Sequence, residues 1–445
     1  MAGPLSATGT APRLAAWLTA GVAWIAATPA RAFLIIFLVA FSVGLSLLPF
    51  VPPLAIVPHT RWEVQAVAVS LATTGTFADP YALATGPTAH MPPAYPALLA
   101  LLYKVFGLTL TAGYVAWALK VSVSATMVAM LPWLSRRLGT STQAGVIGGL
   151  AGALAPRWPY EVEYFAAVGL GLLLAWHVRR WSGGRHSLAG SLLLGIAWGA
   201  AFHLTASLLA VLLACLLFEL WWSRDLRKGV WSAVVVAGVA LACAPWGWRN
   251  YAVFGEVFFI RSNAGLELRM GNHDGAVADV DVMDVLEGDR QLHPRTNLAE
   301  ARLVQQLGEM EYMRRARRQA LEWIRTHPGA FLELSVQRAF HFWFGAPSTA
   351  WMAPATAVLT IVAVLGLRRS WPGLSVPQRA AFLVPLLTYP PVYYVVVFMP
   401  RYGAPLTGLL LVLAGAEVSH WIGGPEAGRD GCGQGPSGNP PPGGP

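Results

Sequence analysis

Residues 59–107 read HTRWEVQAVAVSLATTGTFADPYALATGPTAHMPPAYPALLALLYKVFG. The segment directly follows the first long apolar run, residues 32–57, so it emerges at a membrane face. Arg61-Trp62-Glu63-Val64 opens a run with Val64, Val67, Val69 and Leu71, which reads as a short helix lying at the interface. Glu63 sits near its start, where the helix dipole favours negative charge. Gly75 and an Asp79-Pro80-Tyr81 turn follow, then Gly86-Pro87-Thr88-Ala89-His90-Met91-Pro92-Pro93. Paired prolines end any preceding helix and fix how the chain enters the next. That next helix, 94–106, is too short to cross a bilayer, which takes roughly 20 apolar residues. Two surface helices joined by a rigid turn therefore hold one carboxylate beside the lipid headgroups.

Composition makes the rest of the chain a membrane protein. A mean hydropathy of +0.52, 55% apolar residues and only 12% charged ones are far from the roughly 25% charged content of a soluble domain. The net charge of +9 is a topology signal and not a nucleic-acid footprint, because the basic residues sit mostly in short loops. Three cysteines make no disulfide framework: Cys215 and Cys243 lie inside apolar runs and Cys432 in a polar tail. No cleavable leader is expected, since Arg31 and an uninterrupted span follow the apolar stretch 15–27; residues 11–30 read as an interfacial helix.

Apolar stretches of spanning or near-spanning length occur at about 32–57, 112–134, 142–156, 160–178, 188–202, 204–222, 230–247, 348–367, 378–399 and 403–422. This predicts an all-α polytopic protein with about ten transmembrane helices. Arg136-Arg137, Arg179-Arg180 with Arg185, Arg224 with Arg227 and Lys228, and Arg368-Arg369 with Arg379 form short basic loops. With the N-terminus inside, ten spans place all of them on the cytoplasmic side, provided 94–107 stays outside. The expected organisation is an interfacial N-terminus (1–31), a transmembrane module (32–247) with a first outer loop (58–111), an outer segment (248–347), C-terminal spans (348–422) and a disordered Gly/Pro-rich tail (423–445). Short spans such as 142–156 and 188–202 fit a recess opening outward, or a thinned bilayer. Within the outer segment, Val257–Ile260 predicts a short strand or hairpin, 298–325 one amphipathic helix, and 331–344 another helix at the interface.

An acid in a short helix after the first span, then G-P-T-A-x-x-P-P-x-Y-P and an apolar helix ending in F-G, resembles the GT-C superfamily. More narrowly, it is similar to the bacterial family 39 and aminoarabinose-transferase branch of polyprenyl-phosphate-sugar-dependent glycosyltransferases, related to protein O-mannosyltransferases. Four further patterns carry the resemblance across most of residues 32–415: Trp248 to Gly255 (W-R-N-Y-x-V-F-G), Ile260 to Leu268, His327 to Leu332, and Arg401 to Pro405. The resemblance implies transfer of a sugar from a polyprenyl-phosphate donor, at the outer face of an inner membrane, to a lipid, glycan or protein.

Inverting transfer from such a donor needs a base for the acceptor's proton, and Glu63 is the candidate; the bland alternative is a helix-start charge paired with Arg61. Asp79 is a second acid, though Asp-Pro commonly starts turns. Relatives carry an acid where Glu161 and Glu163 lie, and Glu163 fits that place better, as an acceptor or metal contact. The leaving phosphate needs cations or donors, for which Arg249, Arg261 and Arg401 are candidates. Relatives of the aminoarabinose type carry a lysine just before the double proline; here His90-Met91 stands instead, and His90 is a substitute or a turn cap. His203, where relatives often have arginine, is a turn histidine or a phosphate contact. No HExxH, CxxC pair, Walker loop or dinucleotide fingerprint occurs, and His273-Asp274 is too short a signal for a metal; a divalent cation stays open. A transporter or flippase, or a non-catalytic scaffold, is the alternative, but matched inverted halves are not evident.

The topology is checked by cysteine labelling. Residues 137 and 270 are expected to react from opposite sides of the membrane, and labelling from one side would overturn the arrangement.

Overall fold

The computed structural model describes residues 11–51, 56–58, 62–155, 162–184, 186–223, 227–279 and 292–423. Arg61, Glu161, Arg185, Arg224 and the 424–445 tail with Cys432 lie outside the described residues. Those described form helices throughout; their only β pairing is one isolated bridge between Ala78 and Pro87. Five helices are long and apolar enough to cross a membrane: 29–50, 110–137, 229–254, 353–373 and 400–422. Shorter apolar helices, including Thr142–Leu154 and Leu188–Phe202, fill the bundle between them.

Small residues set the helix spacing. A Cβ on Gly195 would run into the Val235 carbonyl, and one on Gly238 into the Leu192 carbonyl, so the 188–202 and 227–254 helices touch backbone to backbone. Without a hydrophobic drive between helices in lipid, such contact is the main source of packing energy. Not every basic residue of the short loops is free to mark topology. Arg180 is buried, with Nε 2.8 Å from both carboxylate oxygens of Glu219 and Nη1 donating to Ser191 Oγ at 2.7 Å. Arg369 Nε likewise donates to Glu417 at 2.7 Å.

The first outer loop folds as its sequence predicts. Glu63–Thr74 is a helix closed by Gly75 at φ +75°, and Ala94–Phe106 follows the paired prolines. They pack on each other through Ala68, Tyr95, Leu99 and Tyr103, over the start of the 110–129 helix at Ala112 and Ala116.

Four expectations are corrected. No strand forms at Val257–Ile260. Trp246 Nε1 donates to the Ile260 carbonyl at 2.8 Å and Asn250 Nδ2 to the Phe258 carbonyl at 3.0 Å, so side chains of the 227–254 helix take the places of a partner strand. The described residues of the 248–347 segment are thus α rather than α with β. Ala264–Gly271 is a helix instead of irregular chain; its Leu266 and Met270 bury against Tyr312 and Met313, and two turns are too few to show a period in sequence. The expected single helix at 298–325 is two, Leu298–Leu307 and Glu309–Thr326, broken at Gly308 with φ +75°. Finally, the apolar run 378–399 is no continuous helix. Val376–Thr388 stops at Tyr389-Pro390-Pro391, and Pro391–Val395 restarts it, because neither proline can donate to a helical carbonyl.

Gly195→Ala should lower the thermal midpoint in detergent, since overpacking costs about 1–3 kcal/mol. Gly169→Ala, where nothing lies within 4 Å of the added carbon, should be neutral or stabilising, because Ala is the better helix former. Equal midpoints for the two variants would reject backbone contact at Gly195.

Candidate active site

The first outer loop, the chain from Phe258 to Glu267, and the Tyr389–Pro405 stretch converge on one recess of about 470 Å³. Tyr389, Val392, Tyr393 and Val396, at and after the proline break, all line it. Ser207 Oγ and Tyr393 Oη lie 2.7 Å apart, Tyr389 Oη is 3.1 Å from Tyr393 Oη, and the Tyr393 and Tyr402 rings stack at 4.4 Å. A largely apolar wall with a few convergent charges is the usual form of a small-molecule site.

Glu63 lies on that wall, held by two imidazoles. Its Oε1 is 3.0 Å from His90 Nε2 and 3.1 Å from His293 Nε2. Burial opposes its charge, but the fields of His90, His293 and Arg295 outweigh burial and hold the carboxyl well below the usual carboxylate range. His90 is the opposite case: burial disfavours its charge, yet Glu63 prevails and raises it above an ordinary histidine. Burial pushes the second ring, His293, down to about 4. Near neutral pH His293 is therefore a neutral imidazole beside the Glu63 carboxylate.

The same three atoms lie within 4.8 Å of one another, a spacing a divalent cation could bridge. His90 Nδ1 is 2.9 Å from Tyr81 Oη, an outer partner of the sort a ligating histidine uses. His293 does not fit. Its Nδ1 accepts from the Arg295 backbone N–H at 3.0 Å, so the neutral ring carries its proton on Nε2, the atom facing Glu63. His90 and Glu63 alone would ligate, with loss of the His90 proton.

The remaining candidates separate by position. Glu163 and Arg401 both line the recess and pair at 3.4 Å. Arg261 also lines it; Nη2 bonds Glu267 Oε1 at 2.9 Å, while its buried Nε has no hydrogen-bond partner. Arg249 is not on the wall. Its Nη1 donates to the Thr88 carbonyl at 2.7 Å and Nη2 to the Phe77 carbonyl at 3.0 Å, and its guanidinium lies over the Trp246 ring at 4.9 Å. Asp79 is also off the wall. It has φ +58° and accepts the Gly86 N–H at 2.8 Å, which makes it the brace of the turn. His203 Nε2 lies 3.1 Å from the Ala242 carbonyl, and its own carbonyl accepts the Ala94 N–H. His293 is the residue that sequence reasoning missed. A lone His-Pro in a polar stretch 230 positions from Glu63 carries no local signal.

No protein-family model matches the chain, and no curated protein matches it. Among solved structures, the archaeal oligosaccharyltransferase AglB from Archaeoglobus fulgidus, in complex with an inhibitory peptide and a dolichol-phosphate, is similar at a TM-score of 0.50 and 13% identity. The match covers 87% of this chain and 50% of that one, so the chain spans about half the length of that structure. ArnT from Cupriavidus metallidurans, bound to undecaprenyl phosphate, aligns over 87% of this chain and 77% of its own at 14% identity, with a TM-score of only 0.34. The AglB likeness establishes a shared helical fold. Fold by itself fixes no chemistry.

Acid should loosen the Glu63 cluster. His293 is neutral in the fold, near 4 against 6.5 for a free ring, so between those values the unfolded chain binds more protons. Stability therefore falls as pH drops from about 6.5 to about 4. His293→Gln, which keeps a donor but does not titrate, should flatten that fall in apparent thermal midpoint; an unchanged slope would mean that His293 is already protonated in the fold.

Proposed function

We propose that this chain is a membrane glycosyltransferase that takes a sugar from a polyprenyl-phosphate-linked donor. One observation carries the reading: Glu63, with Arg261 and Arg401 across from it, faces a single recess in a helical membrane protein. Supporting it is the fold shared with AglB, whose structure holds a dolichol-phosphate.

In this reaction the acceptor hydroxyl gives its proton to Glu63 as its oxygen attacks the anomeric carbon. The bond from that carbon to the phosphate oxygen breaks, and the polyprenyl phosphate leaves with the electron pair. A single displacement of this kind inverts the anomeric centre. Arg261, through its unpartnered Nε, and Arg401 offer charge-assisted hydrogen bonds to the departing phosphate. Glu163 then fits as an acceptor contact, since Arg401 ties it to the same wall. Arg249, bonded to loop carbonyls, serves the wall's position and not the phosphate. The topology belongs to the same proposal: about ten spans, N-terminus inside, and the recess opening at the outer face of an inner membrane. The acceptor is a lipid, glycan or protein.

The contacts that keep Glu63 charged also reduce its basicity, so its contribution falls at the low end of the usual general-base range, about 100-fold. Glu63→Gln should therefore lose roughly 100-fold in turnover, with expression and binding of polyprenyl phosphate near normal. Transfer is measured with purified protein in liposomes against a panel of polyprenyl-phosphate sugars. Wild-type turnover in the variant would move the base to Glu163, and a product of retained configuration would reject single displacement.

A further inference from the structure

Glu309 opens the Glu309–Thr326 helix, yet its side chain is buried and none of the roles above uses it. An acid in a first helical turn ordinarily gains from the dipole while facing water. The bonds of Glu309 go elsewhere. Oε1 accepts from the Ala89 backbone N–H at 2.8 Å and from Ser262 Oγ at 2.6 Å, and Oε2 accepts from Thr88 Oγ1 in a short hydrogen bond. These donors come from two segments more than 170 positions apart, which are also tied directly: the Ser262 N–H donates to the Ala89 carbonyl at 2.9 Å.

Residues 88–90 lie outside helix and strand, so their buried backbone groups need partners of some other kind. Thr88 and Ala89 find theirs in Glu309, Ser262, Arg249 and the Phe77 carbonyl, which accepts the Thr88 N–H at 3.0 Å, and Thr88 Oγ1 accepts the His90 N–H at 2.9 Å. His90 is the next link, since its Nε2 faces Glu63.

We propose that Glu309 is a positioning residue, a carboxylate clamp that locks the Thr88-Ala89-His90 turn onto Ser262 and thereby sets where His90 meets Glu63. It joins the two walls of the recess, the loop bearing Glu63 and His90 and the segment bearing Arg261 and Glu267. Charge-assisted bonds are roughly twice as strong as neutral ones, and removing the shared acceptor takes it from two buried donors and the part-buried Ser262 hydroxyl at once. The inference concerns the geometry of the recess and holds whatever reaction occurs there.

Its test accordingly needs no transfer assay. Hydrogen exchange of the full-length protein in detergent is followed in peptides covering 86–92 and, as an internal control, 110–129. Carbethoxylation of His90 by diethyl pyrocarbonate is read in the same samples. Glu309→Ala should speed exchange in 86–92 by roughly tenfold or more and raise His90 labelling, leaving 110–129 unchanged. Glu309→Gln retains one acceptor oxygen, and its amide can donate to Thr88 Oγ1, so it should fall between wild type and Glu309→Ala. The clamp is overturned if Glu309→Ala leaves 86–92 at the wild-type rate, or if 110–129 loosens equally. It is also overturned if Glu309→Gln is no better protected than Glu309→Ala, because the acceptor oxygen would then be irrelevant.

Discussion

A carboxylate taken out of water must find positive charge or lose its own, and Glu63 resolves this with residues from three separate parts of the chain. The acid begins the first interfacial helix, His90 ends the proline turn, and His293 reaches in from the outer segment. An isolated buried charge would cost several kcal/mol. These segments are therefore not free to drift apart: if either imidazole moves away, the charge on Glu63 loses part of what sustains it. The arrangement couples the local order of the lid over the recess to the protonation of one group within it.

Elsewhere the same demand is met without acids. Arg338 is fully buried, and its neighbours are carbonyls and an amide oxygen: the Gly271 carbonyl through Nη2, and the Tyr394 carbonyl and Asn272 Oδ1 at 3.4 Å through Nη1. Gly271 and Tyr394 lie at the C-terminal ends of two short helices, Ala264–Gly271 and Pro391–Val395, where orphaned carbonyls and the dipole both favour a cation. Arg338 thereby fastens the helix bearing Glu267 to the one bearing Tyr393. Two walls of the recess are joined through one guanidinium, and the wall bearing Glu267 is joined in turn to the loop bearing His90 through the carboxylate of Glu309.

The fold shared with AglB and the constellation in the recess are separate kinds of information. At 13% identity the likeness says how the helices are arranged. What the recess can do rests on which side chains face it, and that depends on packing details such as the proline break after Thr388. Tyr389 lies at that break and Tyr393 in the short helix after it, and both line the cavity.

Much of this was legible in the sequence, because the relevant signals are local. Hydropathy over some 20 residues marks a membrane helix whatever surrounds it; Gly75 and Pro92-Pro93 delimit the two interfacial helices by backbone geometry alone. Glu63 stood out as a lone acid beside a span. Other features depend on contacts that no window contains. Val257–Ile260 has strand composition but no neighbouring strand, so Trp246 and Asn250 decide its conformation. Arg249 and Arg261 looked equivalent as cations near span ends, and only packing turns one onto loop carbonyls and the other into the recess. His293 and Glu309 carry no mark in their own neighbourhoods. Glu63 lies more than 200 residues from His293, as Thr88 and Ala89 do from Glu309, and a buried contact or shared acceptor comes into being only once the chain has closed on itself.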